Sequence, residues 1–409
     1  MKYKIIIIAG FVGLLFSCER EISPEQADRF IKFYGNYLMD EARDVETLDD
    51  GGYAICGVDS LPGLGKRMVL IITDEYGNVK SGFPAYYTDS IEGSEPGAKE
   101  GLESGANSVV PIRGGQGGYL LAGFVERRVT DSTSVQRDIF LVKASNSGQE
   151  NWQRSYGSSE DEVILHAVER ISSGYMLAGY QVKGGKSDIL IMGIEEEGDS
   201  TRLGLNYNNP YAKNGTASFL LNTGDGYLCV CTYDKIGQDG TDILVLKFDD
   251  ELSPIDENLT DDADEYGTCI IEEGPDQYLV LGNRINESRI VTVVHRIKTT
   301  GLLITESVLV ATISESNMDM IGERFVKTAD GRCAVVGTRR SGGTQDIFLQ
   351  FLSSGELLDA GQIIYGASSD QSGADIDLPA DGGIVLLGTT SYEENSLISL
   401  IKTSDTGDL

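Results

Sequence analysis

Short runs of consecutive apolar residues recur along the chain and are separated by turns rich in Gly, Asp, Asn and Ser. One phrase, Gly-Tyr followed by apolar or small residues, stands at positions 52–57, 118–123, 174–179 and 226–231. Weaker copies occupy positions 277–282, 331–337 and 383–388. Equivalent positions in successive copies lie 51 to 66 residues apart, which predicts seven supersecondary units.

Each unit is expected to contain four short strands. A strand such as 108–112 precedes the phrase, and a third strand such as 138–143 follows it after a variable loop. A polar turn then leads to a fourth strand that ends in Tyr, as at 152–156. The strands are apolar along their whole length, which is typical of strands covered on both faces. An all-β fold follows, a seven-bladed β-propeller with four-stranded antiparallel blades; a pair of packed sheets is the alternative, but does not predict a fixed period.

The last unit lacks a fourth strand at the end of the chain. Its third strand is expected at 397–402, and the segment 30–35 near the start matches the fourth strands at 152–157 and 361–366. We therefore expect the N-terminal strand to complete the last blade and to close the ring. Residues 29–409 then form a single propeller domain.

The first residues are typical of a targeting segment. Lys2 and Lys4 precede an apolar run at 5–16, which would span only ~18 Å as a helix against the ~30 Å of a hydrocarbon core. The run at 14–18, ending in Ser17 and Cys18, resembles the lipobox of bacterial lipoproteins. The resemblance implies a signal peptide at 1–17, lipid attachment at Cys18 and a linker over 18–28. An ordinary secretory signal with a chance cysteine is the alternative.

The composition limits the classes of partner that the protein can have. The chain has 33 Lys and Arg against 64 Asp and Glu, a net charge of −31, which argues against nucleic acid because phosphate binding needs a basic surface. Membrane contact is expected through the lipid anchor only. The remaining five cysteines lie inside apolar runs and are odd in number, so we expect buried free thiols.

The repeats also resemble those of a known family. The recurring phrases are Tyr-Gly, Asp-Gly-Gly-Tyr and Asp-Ile-Phe-Leu-Val-Lys, and they resemble those of secreted bacterial β-propeller lipoproteins, most of which have no characterised function. The resemblance covers nearly all of the mature chain and implies the fold. Glu19, Arg20 and Glu21, directly after Cys18, resemble the surface-export signal of some Gram-negative lipoproteins, which implies an outer-membrane lipoprotein exposed at the surface. It implies no activity.

Candidate binding residues lie on one face of the predicted propeller. The long connections between strands two and three share that face and carry the basic residues Arg127, Arg128, Lys183, Lys186, Arg284, Arg339 and Arg340. Such a set would bind an anionic group, for instance of a uronic acid or sulfated sugar, or would simply pair with neighbouring acids in solvent. Tyr180 and Tyr233 would form a stacking platform for sugars, or would pack in the core.

Signals for metal binding and catalysis are weak. Asp261, Asp262 and Asp264 have the carboxylate density of a Ca²⁺ site but lack the pattern of an EF-hand loop, so we predict no metal and no cofactor, with Ca²⁺ as the weaker alternative. His166 and His295 fall in different blades and near no catalytic motif, so no catalytic residue is predicted.

The sequence thus predicts a lipid-anchored module of the cell envelope that binds a glycan or a surface protein. The alternative is a carbohydrate-active lyase or hydrolase with its site at the mouth of the propeller channel. The sequence favours the binding module, and it leaves open whether the protein is an enzyme.

Overall fold

The computed structural model describes residues 28–36, 38–63, 65–89, 103–113, 117–128, 135–198, 202–207, 214–234, 240–260, 264–286, 289–300 and 303–409. In these ranges the chain forms 28 strands and no helix, hence no helix there that could cross a membrane.

The strands form seven antiparallel sheets of four strands each, the blades of a propeller. Strand β1 (Phe30–Tyr34) belongs to the last blade. Blade 1 contains β2 (Glu41–Thr47), β3 (Tyr53–Leu61), β4 (Gly65–Ile72) and β5 (Ala85–Tyr87). Blade 2 contains β6 (Ser104–Pro111), β7 (Tyr119–Arg128), β8 (Val135–Ala144) and β9 (Glu150–Tyr156). Blade 3 contains β10 (Glu162–Glu169), β11 (Tyr175–Lys183), β12 (Lys186–Ile194) and β13 (Arg202–Tyr207).

Blade 4 contains β14 (Gly215–Asn222), β15 (Tyr227–Asp234), β16 (Thr241–Phe248) and β17 (Pro254–Leu259). Blade 5 contains β18 (Glu265–Gly274), β19 (Gln277–Asn286), β20 (Arg289–Thr300) and β21 (Leu303–Ile313). Blade 6 contains β22 (Asp319–Lys327), β23 (Cys333–Ser341), β24 (Thr344–Leu352) and β25 (Asp359–Tyr365). Blade 7 contains β26 (Asp370–Asp377), β27 (Ile384–Tyr392), β28 (Asn395–Thr403) and β1. The predicted seven-bladed propeller is confirmed.

The N-terminal strand closes the ring, as the sequence predicted. β1 pairs antiparallel with β28, with Phe30 opposite Lys402 and Tyr34 opposite Ile398. The pairing covers an edge of β28 that would otherwise expose unpaired backbone groups.

The core lies between adjacent blades, which explains why the strands read as continuous apolar runs. Leu70 of blade 1 packs with Leu121 and Phe140 of blade 2, and all three are fully buried. The five cysteines of the described chain are buried and free, as expected: Cys56, Cys229, Cys231, Cys269 and Cys333.

A recurring hydrogen bond joins neighbouring blades near their outer strands. The Tyr that ends a fourth strand donates its hydroxyl to the carbonyl of a Gly in a turn of the next blade. The four pairs are Tyr34 with Gly77, Tyr87 with Gly148, Tyr156 with Gly198, and Tyr365 with Gly407. Gly148 has a φ of 77°, and a Cβ there would lie 2.8 Å from the ring of Phe83. This contact between blades therefore requires glycine at position 148.

A second recurring contact joins the blades near the axis. Each first strand carries a β-bulge, and the extra residue is Arg43, Asn107, Leu165, Ser218, Thr268, Glu323 or Ala374. A bulge interrupts the ladder and leaves backbone groups unpaired. At four blade junctions, a side chain of the preceding blade accepts the N–H that lies two residues after the bulge. The acceptors are Asp44 for Val109 (2.7 Å), Ser108 for Ala167 (3.2 Å), His166 for Leu220 (3.2 Å) and Asp375 for Val45 (2.9 Å).

Deletion of residues 30–34 tests the closure. We expect a loss of several kcal/mol in the free energy of unfolding, because the deletion removes a whole strand pairing and exposes the edge of β28. Tyr34→Phe and Tyr156→Phe, which each remove one Tyr–Gly bond, are expected to cost about 1 kcal/mol and serve as matched controls. Urea unfolding measures all three, and a deletion no more costly than the Tyr→Phe variants would contradict closure by β1.

His166 makes the stability of the fold depend on pH. Burial lowers the pKa of His166 to about 3, so the ring stays neutral and its Nδ1 accepts the N–H of Leu220. Because the unfolded state takes up this proton near pH 6.5, the stabilisation is complete above that pH and falls as pH drops towards 3.

We expect His166→Asn to flatten the dependence of unfolding free energy on pH, by up to about 1.4 kcal/mol per pH unit below pH 6. Carboxylates titrate in the same range in both proteins, so the difference between the two slopes is the quantity to measure. Identical slopes, or an NMR titration of His166 near pH 6.5, would show that the ring is not held neutral.

Candidate ligand site in the central channel

The seven bulged residues meet in a cavity of about 640 Å³ around the propeller axis. Every one of them lines it: Arg43, Asn107, Leu165, Ser218, Thr268, Glu323 and Ala374. A bulge re-aims a side chain that strict alternation would direct elsewhere. The fold thus presents seven different side chains at equivalent positions to one cavity.

Charge is unevenly distributed around this cavity. Blade 1 contributes Arg43, and blade 6 contributes Arg324 and Arg340. Blade 7, which lies between them, contributes only Ser372, Gly373 and Ala374, together with Thr389. The bulged positions of blades 2 to 4 are uncharged. The cationic side chains therefore flank the part of the ring whose bulged side chain is smallest.

Contacts on several sides hold Arg324 in place. Its Nη1 donates to the carbonyl oxygens of Thr268 (3.2 Å) and Glu323 (3.0 Å), and its Nε lies 3.9 Å from Oδ1 of Asp375. The guanidinium lies over the ring of Phe219, 5.0 Å from its centroid. A guanidinium fixed in this way loses little freedom when it binds a ligand.

Asp44 and Asp375 form a buried carboxyl pair beside Arg324. Burial raises the pKa of Asp375, and the Asp44 carboxyl raises it further because two adjacent carboxylates resist ionising together. Asp375 accepts the N–H groups of Val45 and Ile376, and Asp44 accepts that of Val109. These bonds give the pair a structural role in joining blades 7, 1 and 2.

Glu323 and Tyr266 are further polar groups in the channel. Burial raises the pKa of Glu323, against the opposing effect of Arg324 and Arg43. Burial raises the pKa of Tyr266 to about 12, and the nearby Glu323 contributes, so its hydroxyl remains a hydrogen-bond donor. Both groups can donate to a ligand when they are protonated.

Three of the predicted basic residues are neutralised by acids. The ion pairs join Arg127 to Asp89 and Asp138, Arg284 to Glu265 (2.6 Å), and Arg339 to Glu315 (2.9 Å). These three arginines therefore pair with neighbouring acids, which the sequence analysis gave as the alternative to anion binding. Arg340, by contrast, lines the channel, where its nearest described polar partner is Oε1 of Gln345 at 3.5 Å.

The other predicted residues lie away from the channel. Tyr233 is 7% exposed and packs in the core between blades 3 and 4. Tyr180 is half-buried in β11; burial raises its pKa, and Arg137 opposes the rise. Lys183 is exposed at the end of β11, and Arg128 is the last residue of β7.

The predicted metal and lipid positions fall largely outside the described chain. Cys18, Asp261 and Asp262 are not among the described residues. Oδ1 of Asp264 accepts both the N–H (2.9 Å) and the hydroxyl (3.0 Å) of Thr241. Within the described ranges, no group of three His, Cys, Asp or Glu side chains could hold a metal ion.

Sequence reasoning missed Arg43, Glu323 and Arg324, although a signal was present. In six of the seven first strands a small residue precedes the bulge: Ala42, Ala106, Ala217, Gly267, Gly322 and Gly373. The residue after it varies freely from repeat to repeat. Aligning the repeats on this small residue, rather than on the Gly-Tyr phrase, would have singled out the channel positions.

Comparisons with known proteins support the fold alone. No family model matches the chain, and no curated protein matches it in sequence. Among solved structures, hydrazine synthase of Kuenenia stuttgartiensis is similar at a TM-score of 0.50 and 10% identity, over 90% of this chain and 97% of that one. The β-propeller domain of the trilobed protease of Pyrococcus furiosus gives a TM-score of 0.47 at 10% identity, over 90% and 94%. A puromycin-hydrolyzing peptidase of Mycobacterium tuberculosis gives 0.48 at 11%, over 89% and 52%.

Arg127→Met and Arg340→Met should differ in their effect on stability. Arg127→Met leaves two largely buried carboxylates without their cation, and we expect a loss of about 1 to 3 kcal/mol. Arg340→Met breaks no ion pair with a described residue and should change the unfolding free energy by less than about 0.5 kcal/mol. Chemical denaturation at neutral pH measures both, and equal losses would show that Arg340 also has a structural partner.

Proposed function

We propose that this protein is a lipid-anchored module of the cell envelope that binds a glycan in its central channel. The observation that carries the proposal is the ring of seven bulged side chains around one cavity. The repeats preserve the bulge while its side chain differs in every blade. A rigid scaffold that carries a different side chain at each equivalent position can present a specific set of groups to a ligand.

The size and polarity of the channel suit a sugar. Its volume of about 640 Å³ lies within the range of small-molecule sites. Asn107, Ser218 and Thr268 offer amide and hydroxyl groups, and Tyr266 offers an aromatic ring with a hydroxyl. Hydroxyl-rich ligands require this combination of hydrogen-bonding groups and aromatic surface.

The lipid anchor of this proposal is inferred from the first residues of the sequence. Lipidation at Cys18 would leave residues 18–28 as a short linker between the membrane and the propeller. Acyl chains on one cysteine supply a stable anchor without a spanning helix. In this arrangement the acidic propeller stays near the outer membrane and meets its ligand from the surrounding solvent.

The arrangement of acids favours binding over catalysis. A glycosidase needs two carboxyl groups that are free to reach the scissile bond. Of the two carboxyl groups that line the channel, Glu41 is paired with Arg43 and Lys66, and only Glu323 has no ion-pair partner in the described chain. Asp44 and Asp375, beside the channel, accept backbone N–H groups of three blades. A lyase or hydrolase remains the competing function.

Narrowing the channel tests the proposal. Residues 29–409 are screened on a glycan array, and the ligands found are titrated by calorimetry. Ala374→Leu adds bulk inside the cavity, so we expect at least a tenfold loss of affinity with unchanged thermal stability.

Ala360→Leu is the matched control, because Ala360 is exposed on the outer strand β25. Equal affinities for the two variants would place the ligand elsewhere, and a screen without any ligand would contradict glycan binding. Prolonged incubation followed by chromatography of the glycan tests the competing function. Any shortened or unsaturated product would show that the protein is a hydrolase or lyase and not a binding module.

A further inference from the structure

We propose that the channel ligand carries a carboxylate, as in a uronic acid, and that this group binds between Arg43 of blade 1 and the pair Arg324 and Arg340 of blade 6. The inference rests on the proposed function and specifies its ligand. Blade 7 separates these arginines and leaves room for the anion, because it presents Gly373 and Ala374 at this level.

The charges that line the cavity are the first argument. Three arginines face two glutamates, in a chain whose net charge is −31. Glu41 is already paired with Lys66 (2.9 Å) and with Arg43. Glu323 is therefore the one lining carboxyl group in the described chain that has no ion-pair partner, and burial favours its neutral form. The cavity is locally cationic inside an acidic body.

The free donors of the arginines are the second argument. Among the described residues, Arg340 forms no ion pair, whereas Arg127, Arg284 and Arg339 each have an acidic partner. Arg324 uses Nη1 and Nε within the protein, and its Nη2 has no described hydrogen-bond partner. A guanidinium with unused donors that lines a cavity matches a carboxylate in geometry and charge.

The uncharged part of the ring orients the ligand. Asn107, Leu165 and Ser218 stand at the bulges of blades 2 to 4, away from the arginines. A sugar held by its carboxylate at blade 7 would direct its hydroxyls towards these side chains. The acidic exterior disfavours a long polyanion, so a single acidic residue or a short oligosaccharide fits better than an extended acidic chain.

The test compares an acid with its uncharged counterpart. Trisaccharides of galacturonic, glucuronic and mannuronic acid are each titrated by calorimetry into residues 29–409, beside their methyl esters. We expect one acid to bind at least tenfold more tightly than its ester. Arg340→Met should weaken binding of that acid about 10- to 100-fold and leave binding of the ester unchanged, because only the charged ligand uses the guanidinium.

Arg127→Met is the matched control, since Arg127 is an arginine of the same face that is paired with Asp89 and Asp138. It should leave the affinity for the acid unchanged. If the three acids bind no better than their esters, or if the two arginine variants lose affinity equally, the inference is overturned.

The failure of this inference can be told apart from the failure of glycan binding. If Ala374→Leu still abolished binding of a neutral glycan in that case, glycan binding in the channel would stand. If neither acids, esters nor arrayed glycans bound, both proposals would fall.

Discussion

The β-bulge in each first strand governs much of this structure. A bulge breaks the ladder inside the blade, and a buried N–H that is left unpaired must find an acceptor elsewhere. At four junctions the acceptor is a side chain of the preceding blade, such as Asp44 for Val109 or His166 for Leu220. The same bulge turns one side chain of every blade towards the axis. Cohesion of the ring and the lining of its channel therefore come from a single backbone irregularity.

Two kinds of hydrogen bond join adjacent blades, one near the outer strands and one near the axis. The Tyr–Gly bonds hold the outer strands, where Tyr365 reaches the carbonyl of Gly407 across the junction of blades 6 and 7. The inner acceptors hold the first strands around the channel. Most side chains at the bulge take no part in these contacts, although Nδ2 of Asn107 donates to the carbonyl of Ile164 in the next blade (2.7 Å), and most of these positions can therefore vary without loss of the fold. That freedom is what allows a repetitive scaffold to present an unrepetitive site.

The charge of the protein acts differently at long range and inside the channel. At long range the excess of acids repels anions, which is why the sequence argues against nucleic acid as a partner. Inside the channel, Arg43, Arg324 and Arg340 outnumber the acids that line it, and Coulomb attraction grows as the distance between opposite charges shortens. A small acidic group that reaches the cavity thus meets attraction, although the exterior repels it.

The sequence by itself determined the number of blades, the strands of each and the closure by β1. These features are local patterns repeated seven times, so each copy supports the interpretation of the others, and Phe30 to Tyr34 could be recognised as the missing fourth strand. The Tyr that ends a fourth strand was visible for the same reason. Buried free cysteines followed equally well from the apolar runs around them.

Only the tertiary structure decided which charged residues share the channel. Arg127 and Arg340 look alike in sequence, yet the first lies against Asp89 and Asp138 and the second lines the cavity. Arg43 and Glu323 were marked only by the small residue before each bulge, because a one-residue bulge shifts the alternation of a strand without altering its composition. Distance from the axis and the identity of the facing side chain depend on how seven blades pack together, and no local pattern contains that information.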